Sequence, residues 1–265
     1  MEGMKLGIIA PSHDKSGLLY AKNLGLSYAE FDVNGDDVTY LTNIAGELKE
    51  YSETIGVSIC AVGRWGRPRI NPDLTVNGKE LDDEKALIDF CAYVGCPVYI
   101  CGVNYVEGQS YFSNITAAIG YIKTLMDYAG GRVKICTYNC DWHNYINKPH
   151  EWDIVHEHLK GLGIKYDPSH CINGGRDYMS EIVKYGDKVY HIHLKGTINV
   201  NGVHFDDPPA GLDTVNWGAF LSVFRKYKYE GVLSIEPHSA TWQGELGEKG
   251  VRYTVEYFKR MLFIE

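Results

Sequence analysis

The chain is predicted to be an α/β protein, a single-domain (β/α)8 TIM barrel covering residues 1–265. Three observations point there. Short apolar runs alternate with longer amphipathic ones along the whole length, and the runs at 6–10, 27–33, 56–62, 97–101, 133–138, 164–167, 189–194 and 232–236 number eight. The length of 265 residues suits a barrel, which commonly occupies about 250 residues as one domain. Finally, Ala10-Pro11-Ser12-His13-Asp14 follows the first run without the G-x-G-x-x-G spacing of a doubly wound nucleotide fold.

Helical periodicity is clearest at 82–94, 112–128, 151–161, 217–227 and 250–261. Gly95, Gly163, Gly186 and Gly231 each stand before a strand, so all four are expected to stop helices in a left-handed conformation. Strand-then-helix units in series imply right-handed crossovers and parallel strands. Residues 63–79 and 196–213 are expected as long loops. No linker rich in Pro, Ser or charge divides the chain.

Composition narrows the function. A net charge of −8 disfavours nucleic acid, whose phosphates call for a basic stripe. A local cluster of Arg64, Arg67 and Arg69 could hold a substrate phosphate, with a solvated loop as the plainer reading. Twenty tyrosines suit a polyol pocket or an interface, leaving room for a homo-oligomer. Seven cysteines without a CxxC pair read as small buried hydrophobes in a reducing compartment. Met1-Glu2-Gly3-Met4-Lys5 leads straight into a strand without a signal-peptide profile, and no apolar stretch approaches the roughly 18 residues of a membrane span. A cytoplasmic protein with no membrane or nucleic-acid partner is expected.

Three strand ends carry chemistry. Asp167 ends the sixth run in Tyr166-Asp167-Pro168-Ser169-His170, His193 lies in Tyr190-His191-Ile192-His193-Leu194-Lys195, and Glu236 lies in Leu233-Ser234-Ile235-Glu236-Pro237-His238. Active sites of such barrels form at the C-terminal strand ends, where these three would meet. Two carboxylates and an imidazole suit a divalent cation acting on oxygen-bearing substrates. Each also has a plainer reading: Asp167 as a turn former before proline, Glu236 as a solvated strand end, and either histidine as a core residue held by a carbonyl. His191 and His193, two residues apart, point the same way. Lys195 is read on the alternate face, as an ion-paired lysine or a substrate contact. His13, Glu30, Asp32 and Asn104 fall at the same end of the barrel.

With D-P-S-H, H-I-H-L-K and S-I-E-P-H at its strand ends, the chain resembles the sugar phosphate isomerase/epimerase group of xylose isomerase-like TIM barrels, which are related to the abasic-site endonucleases. The resemblance implies Asp167, His193 and Glu236 as ligands of a divalent metal ion (Mn2+, Zn2+, Mg2+ or Co2+) and His170 as a histidine that either contacts substrate or supports a metal ligand. The stretch Asp207-Pro208-Pro209-Ala210-Gly211-Leu212, followed by Trp217, resembles the family loop before the seventh helix.

Two departures stand out. The family's fifth strand usually ends in a glutamate ligand, whereas this chain reads Thr137-Tyr138-Asn139-Cys140-Asp141-Trp142-His143. Tyr138 or His143 takes that place, so His143 is a candidate fourth ligand and Tyr138 a candidate acid or hydrogen-bond donor. Gly196 stands where an aspartate often follows the lysine.

The candidate catalytic set is therefore Glu236, His170 and Lys195, with His13, Arg64, Asn104, Tyr138 and Trp217 expected against substrate. The activity implied is isomerisation or epimerisation of a sugar, keto-sugar or derivative, by proton abstraction beside a carbonyl through a metal-stabilised enediolate. A dehydratase or lyase, and an inactive barrel that binds a sugar or a partner, are the alternatives.

Overall fold

Apolar residues flanking the chain's repeated turns drive strand and helix formation in alternation, and the strands join edge to edge. In the computed structural model, which describes residues 3–264, the strands are β1 (Lys5–Ala10), β2 (Tyr28–Asp32), β3 (Ser58–Gly63), β4 (Val98–Cys101), β5 (Lys134–Tyr138), β6 (Gly163–Tyr166), β7 (Val189–Leu194), β8 (Ile198–Val200), β9 (Val203–Asp206) and β10 (Val232–Ile235). All but β8 and β9 are parallel and close into a barrel in the order β1-β10-β7-β6-β5-β4-β3-β2. This is a single-domain TIM barrel, as expected, and the eight predicted runs coincide with its eight staves. Met1, Glu2 and Glu265 lie outside the described residues, and so does the start of the N-terminal segment read above.

The helices are α1 (Ser16–Asn23), α2 (Thr39–Thr42), α3 (Ala45–Ile55), α4 (Gly78–Val94), α5 (Tyr111–Ala129), α6 (Pro149–His158), α7 (Pro168–Asn173), α8 (Tyr178–Tyr185), α9 (Trp217–Lys226) and α10 (Gly244–Leu262). Local chemistry sets their starts. Asn77, Ser110 and Asn216 each accept a hydrogen bond from the backbone N–H three residues on, capping α4, α5 and α9, and Pro149 opens α6. Of the four glycines expected to stop helices, only Gly95 does so in the left-handed region, at φ 78°. Gly163 is part of β6, Gly186 is right-handed, and the left-handed residue before β10 is Lys228 rather than Gly231. No described helix is long and apolar enough to cross a membrane.

Two layers of side chains hold the barrel. Outside the staves, Leu87, Ile122, Trp152, Phe220, Phe224 and Phe258 pack helices onto strands with at most 3% exposure, and burial of each aromatic is worth roughly 1.5–3 kcal/mol. Inside, a smaller cluster of Cys60, Ala61, Trp65, Val98, Ile100, Cys136, Tyr138 and Val232 fills one side of the lumen. All seven cysteines are free thiols, and all but Cys140 are buried.

Both expected loops are more ordered than open. In 63–79, Arg64 and Arg69 are fully buried: Arg64 pairs with Glu80 and donates to the Val33 carbonyl, and Arg69 pairs with Glu84 at 2.7 Å. Neither the solvated reading nor a phosphate grip survives for Arg64, because buried guanidinium groups need fixed partners and it already has them. In 196–213 the chain turns back as the antiparallel hairpin β8–β9. Short alternating strands with Asn201-Gly202 between them would have signalled it.

Candidate metal centre

The side chains at the C-terminal ends of β2, β6, β7 and β10 converge because inward positions on each strand repeat every second residue. Glu30 and Asp32 come from β2, Lys165 and then Asp167 from β6, His191 and His193 from β7, and Ser234 and Glu236 from β10. Parallel register brings these levels together, since Lys165 lies opposite His191 and Ser234 opposite His193.

His193 is the hub. Its Nδ1 lies 2.6 Å from Glu236 Oε2 and its Nε2 lies 2.8 Å from Glu30 Oε1. One layer deeper, His191 Nε2 lies 2.6 Å from Glu30 Oε2 and 3.1 Å from Ser234 Oγ. Burial opposes charge on His193, but Glu30 and Glu236 outweigh it and hold the imidazole up at about 9. Burial likewise opposes ionisation of Glu30 and Glu236, yet the histidines keep both well below the usual carboxylate range. His191, just as buried but facing only one carboxylate, is pushed down by that burial. Asp32 is different: burial, reinforced by the Glu30 and Glu236 charges, raises it to about 8, and its Oδ1 has no hydrogen bond.

Asp167 is held by backbone chemistry. Asn139 at the end of β5 clasps it, accepting from the Asp167 N–H at 2.9 Å and donating to its carbonyl at 2.8 Å. One carboxylate oxygen caps α7 through the Ser169 N–H at 2.8 Å. The other, Oδ2, is buried without a hydrogen bond, although His170 Nε2 stands 3.4 Å away. A buried carboxylate oxygen left unsatisfied is costly unless something else completes it. Donor atoms of Asp167, His193 and Glu236 lie within 4.8 Å of one another, so a divalent cation would satisfy that oxygen. Glu30, His191 and His193 also lie within that span, but both Glu30 oxygens are already bonded there, whereas the upper set has Asp167 Oδ2 without a hydrogen bond. The upper set fits an ion better. Glu30 would then accept the Nε2 proton of His193, the usual carboxylate–imidazole support, and Nδ1 would exchange its 2.6 Å contact with Glu236 for the ion.

The other expected site residues divide. His170, on α7, is half-buried beside Asp167, and burial, with Lys195 and Lys165 nearby, lowers it to about 4, so its imidazole is neutral. Lys195 is buried rather than set on an opposite face. It continues the two-residue period of His191 and His193, and lies 3.7 Å from Asp207 Oδ2. His13 is exposed, packs on Tyr40, and lines an open cleft of about 470 Å3 with Asp32, Glu236 and His238, within the size range of small-ligand sites.

Four expectations fail on geometry. His143 is exposed in the loop after β5, with φ 46°, and joins no ligand cluster among the described residues. Tyr138 is buried, but its hydroxyl donates to the Trp142 carbonyl at 2.8 Å, so it is taken up by the loop. Asn104 bonds the backbone of Arg69 and Ile70, acting as a brace for the β3 loop. Trp217 is buried among Phe220 and Phe258, with its indole N–H on Asp213 at 2.9 Å, in the outer layer rather than the mouth.

Gly196 has a steric reason. A Cβ there would stand 2.1 Å from the Pro208 carbonyl oxygen, so no aspartate can follow Lys195 without moving the 207–212 segment. Glu30, Asp32 and Lys165 are the contributors that sequence reasoning left without a role. A charged residue alternating inward on an apolar strand was the available signal.

Solved structures share this architecture end to end. A xylose isomerase domain protein from Planctomyces limnophilus superposes with TM-score 0.79 at 15% identity, covering 98% of this chain and 97% of that one. D-psicose 3-epimerase from Clostridium cellulolyticum H10, solved with D-tagatose, gives 0.78 at 12% identity and covers 98% and 99%. A 3-keto-D-glucoside 4-epimerase from E. coli gives 0.77 at 14% and covers 97% and 99%. Identities this low speak to the fold alone. No curated protein matches in sequence. A family model does, over residues 18–261, a stretch that contains Glu30, Asp167, His193 and Glu236: the chain belongs to the xylose isomerase-like TIM barrel family.

Proposed function

We propose that the protein is a divalent-metal-dependent isomerase or epimerase acting on a sugar, keto-sugar or sugar derivative. The observation that carries this reading is the convergence of Asp167, His193 and Glu236, with the buried Asp167 Oδ2 lacking any hydrogen bond. The D-psicose and 3-keto-D-glucoside epimerases found on the same fold support the substrate class. When bound, a divalent cation supplies polarisation of the substrate's carbonyl and hydroxyl oxygens.

The chain's own residues do the rest. Glu236 borders the open cleft and, as a carboxylate, can accept the proton from the carbon beside the carbonyl. Glu30 fixes His193 from below. Asp32, protonated at neutral pH, faces the cleft as a hydrogen-bond donor to a substrate oxygen. Neutral His170 is placed to accept from a hydroxyl beside Asp167.

A second reading, a dehydratase or lyase on a keto-sugar, is favoured by the end of β5, where neither Tyr138 nor Asn139 offers a base for a second face. The test is deuterium exchange in D2O across a panel of ketoses and keto-glycosides, followed by NMR. Exchange without elimination supports the isomerase, and loss of water or a glycosyl group supports the lyase. Either activity must vanish with chelator and return with Mn2+. If turnover of every sugar is indifferent to metal and to Glu236→Gln, both readings fail.

A further inference from the structure

The side of the mouth contributed by β5 and β6 contains one group that no step above uses. Lys165 is 1% exposed, yet its ammonium makes no hydrogen bond to any described residue. Its ion-pair contact is Asp167 Oδ2 at 4.0 Å, beyond hydrogen-bond length, and the Trp65 ring lies 5.9 Å away. An ammonium has three donors and no acceptor capacity, and burying it unpaired is costly. The other buried lysine, Lys195, is likewise beyond hydrogen-bond length of its carboxylate, Asp207 at 3.7 Å, but it lies on the β7 side of the mouth. Lys165 is thus a desolvated cation that lacks a bonded acceptor within the chain.

Its position is informative. On β6 it lies opposite Tyr138 of β5. Here Tyr138 donates away to Trp142 and Asn139 is bound to the Asp167 backbone, so Lys165 is the remaining polar group on this side. Register sets it between Tyr138 of β5 and His191 of β7, two residues before Asp167.

We propose that Lys165 is a substrate-binding residue that donates to an anionic oxygen of the substrate, so that this side of the mouth presents a cation. This rests on the metal-dependent reading above. The ligand class is a polyol bearing an oxyanion, such as an enediolate or its mimics. Chemistry that gathers negative charge on oxygen gains from the fixed ammonium, while proton removal from the β5 face does not.

The experiment uses the full chain loaded with Mg2+ and a four-carbon sugar hydroxamate, an enediolate mimic, in titration calorimetry. Lys165→Met should bind Mg2+ as the unmutated protein does and lose about 10- to 100-fold in hydroxamate affinity, with Lys165→Arg recovering part of it. In the unmutated protein, addition of hydroxamate should shift one lysine ammonium resonance in 15N NMR, which is absent from Lys165→Arg, a reading independent of whether Lys165→Met folds. Hydroxamate affinity unchanged by Lys165→Met, or no shifted ammonium signal, overturns the proposal and leaves the metal reading intact. Loss of Mg2+ affinity in Lys165→Met and Lys165→Arg alike overturns it too, showing a structural role at Asp167. Failure of the unmutated protein to bind any divalent cation removes the metal reading and this inference together.

Discussion

Around the barrel lumen, β3, β4 and β5 face inward with Ala61, Ile100, Cys136 and Tyr138, while β2, β6, β7 and β10 face inward with Glu30, Asp32, Lys165, Asp167, His191, His193 and Glu236. The first arc is closed by packing: Trp65 stacks on Tyr138 at 5.5 Å, and the Tyr138 hydroxyl bonds to the Trp142 carbonyl. The second arc is closed by charge, with His193 between two carboxylates. The contrast teaches how one fold confines chemistry. The apolar arc excludes water and lowers the local dielectric, which strengthens each interaction across the polar arc. Behind the apolar arc, Arg69–Glu84 and Arg64–Glu80 anchor the β3 loop to α4.

The polar arc should break first when its chemistry is touched. Glu236→Gln is expected to lower kcat by about 10^3- to 10^4-fold with the fold retained, measured on whichever sugar shows exchange. On the other side, Arg69→Met leaves Glu84 as an uncompensated buried charge and should cost about 3–5 kcal/mol in urea unfolding, with metal affinity in the surviving folded protein unchanged.

Acid provides a test that touches neither arc. His156 on α6 is buried with Nε2 unbonded, and burial together with Lys188 lowers it to about 4. The folded state therefore keeps it neutral while the unfolded chain takes up a proton near 6.5. Its stabilising contribution is present above about pH 6.5 and is lost as pH falls through 4. At most about 3 kcal/mol is at stake, so comparing unfolding at pH 7 and 4.5 should show a smaller loss in His156→Leu. His170, lowered to about 4 as well, keeps some of the acid sensitivity in that variant.

Two smaller changes sharpen the contrast. Glu30→Gln should weaken divalent-metal affinity by about 10- to 100-fold by releasing His193 from its support, as calorimetry would register. Tyr138→Phe should cost about 1 kcal/mol through the lost bond to Trp142 and leave kcat within about twofold. A large loss of kcat in Tyr138→Phe would return the apolar arc to the chemistry.

The fold was legible because strand and helix periodicities repeat through the chain, and the ends of β6, β7 and β10 were legible because Asp167, His193 and Glu236 each terminate an apolar run. Glu30 and Lys165 were harder to interpret, since a single charge on a short strand has no meaning until its facing strand is known. His143 and Arg64 were misread for the opposite reason. Their residue types suit ligand binding, but the loop path exposes one and buries the other against Glu80.

By itself, then, the amino-acid sequence determined the barrel and the three strand ends that bear Asp167, His193 and Glu236, because those depend on local period and on where each apolar run stops. Only the tertiary structure decided which charges meet. Closure of β2 against β1, and of β10 against both β1 and β7, brings Glu30 to His193 across 163 positions of sequence. The same closure leaves Tyr138 and Asn139 bonded to the chain itself. Long-range register, not residue type, gave the mouth one side able to hold a cation and another that excludes water.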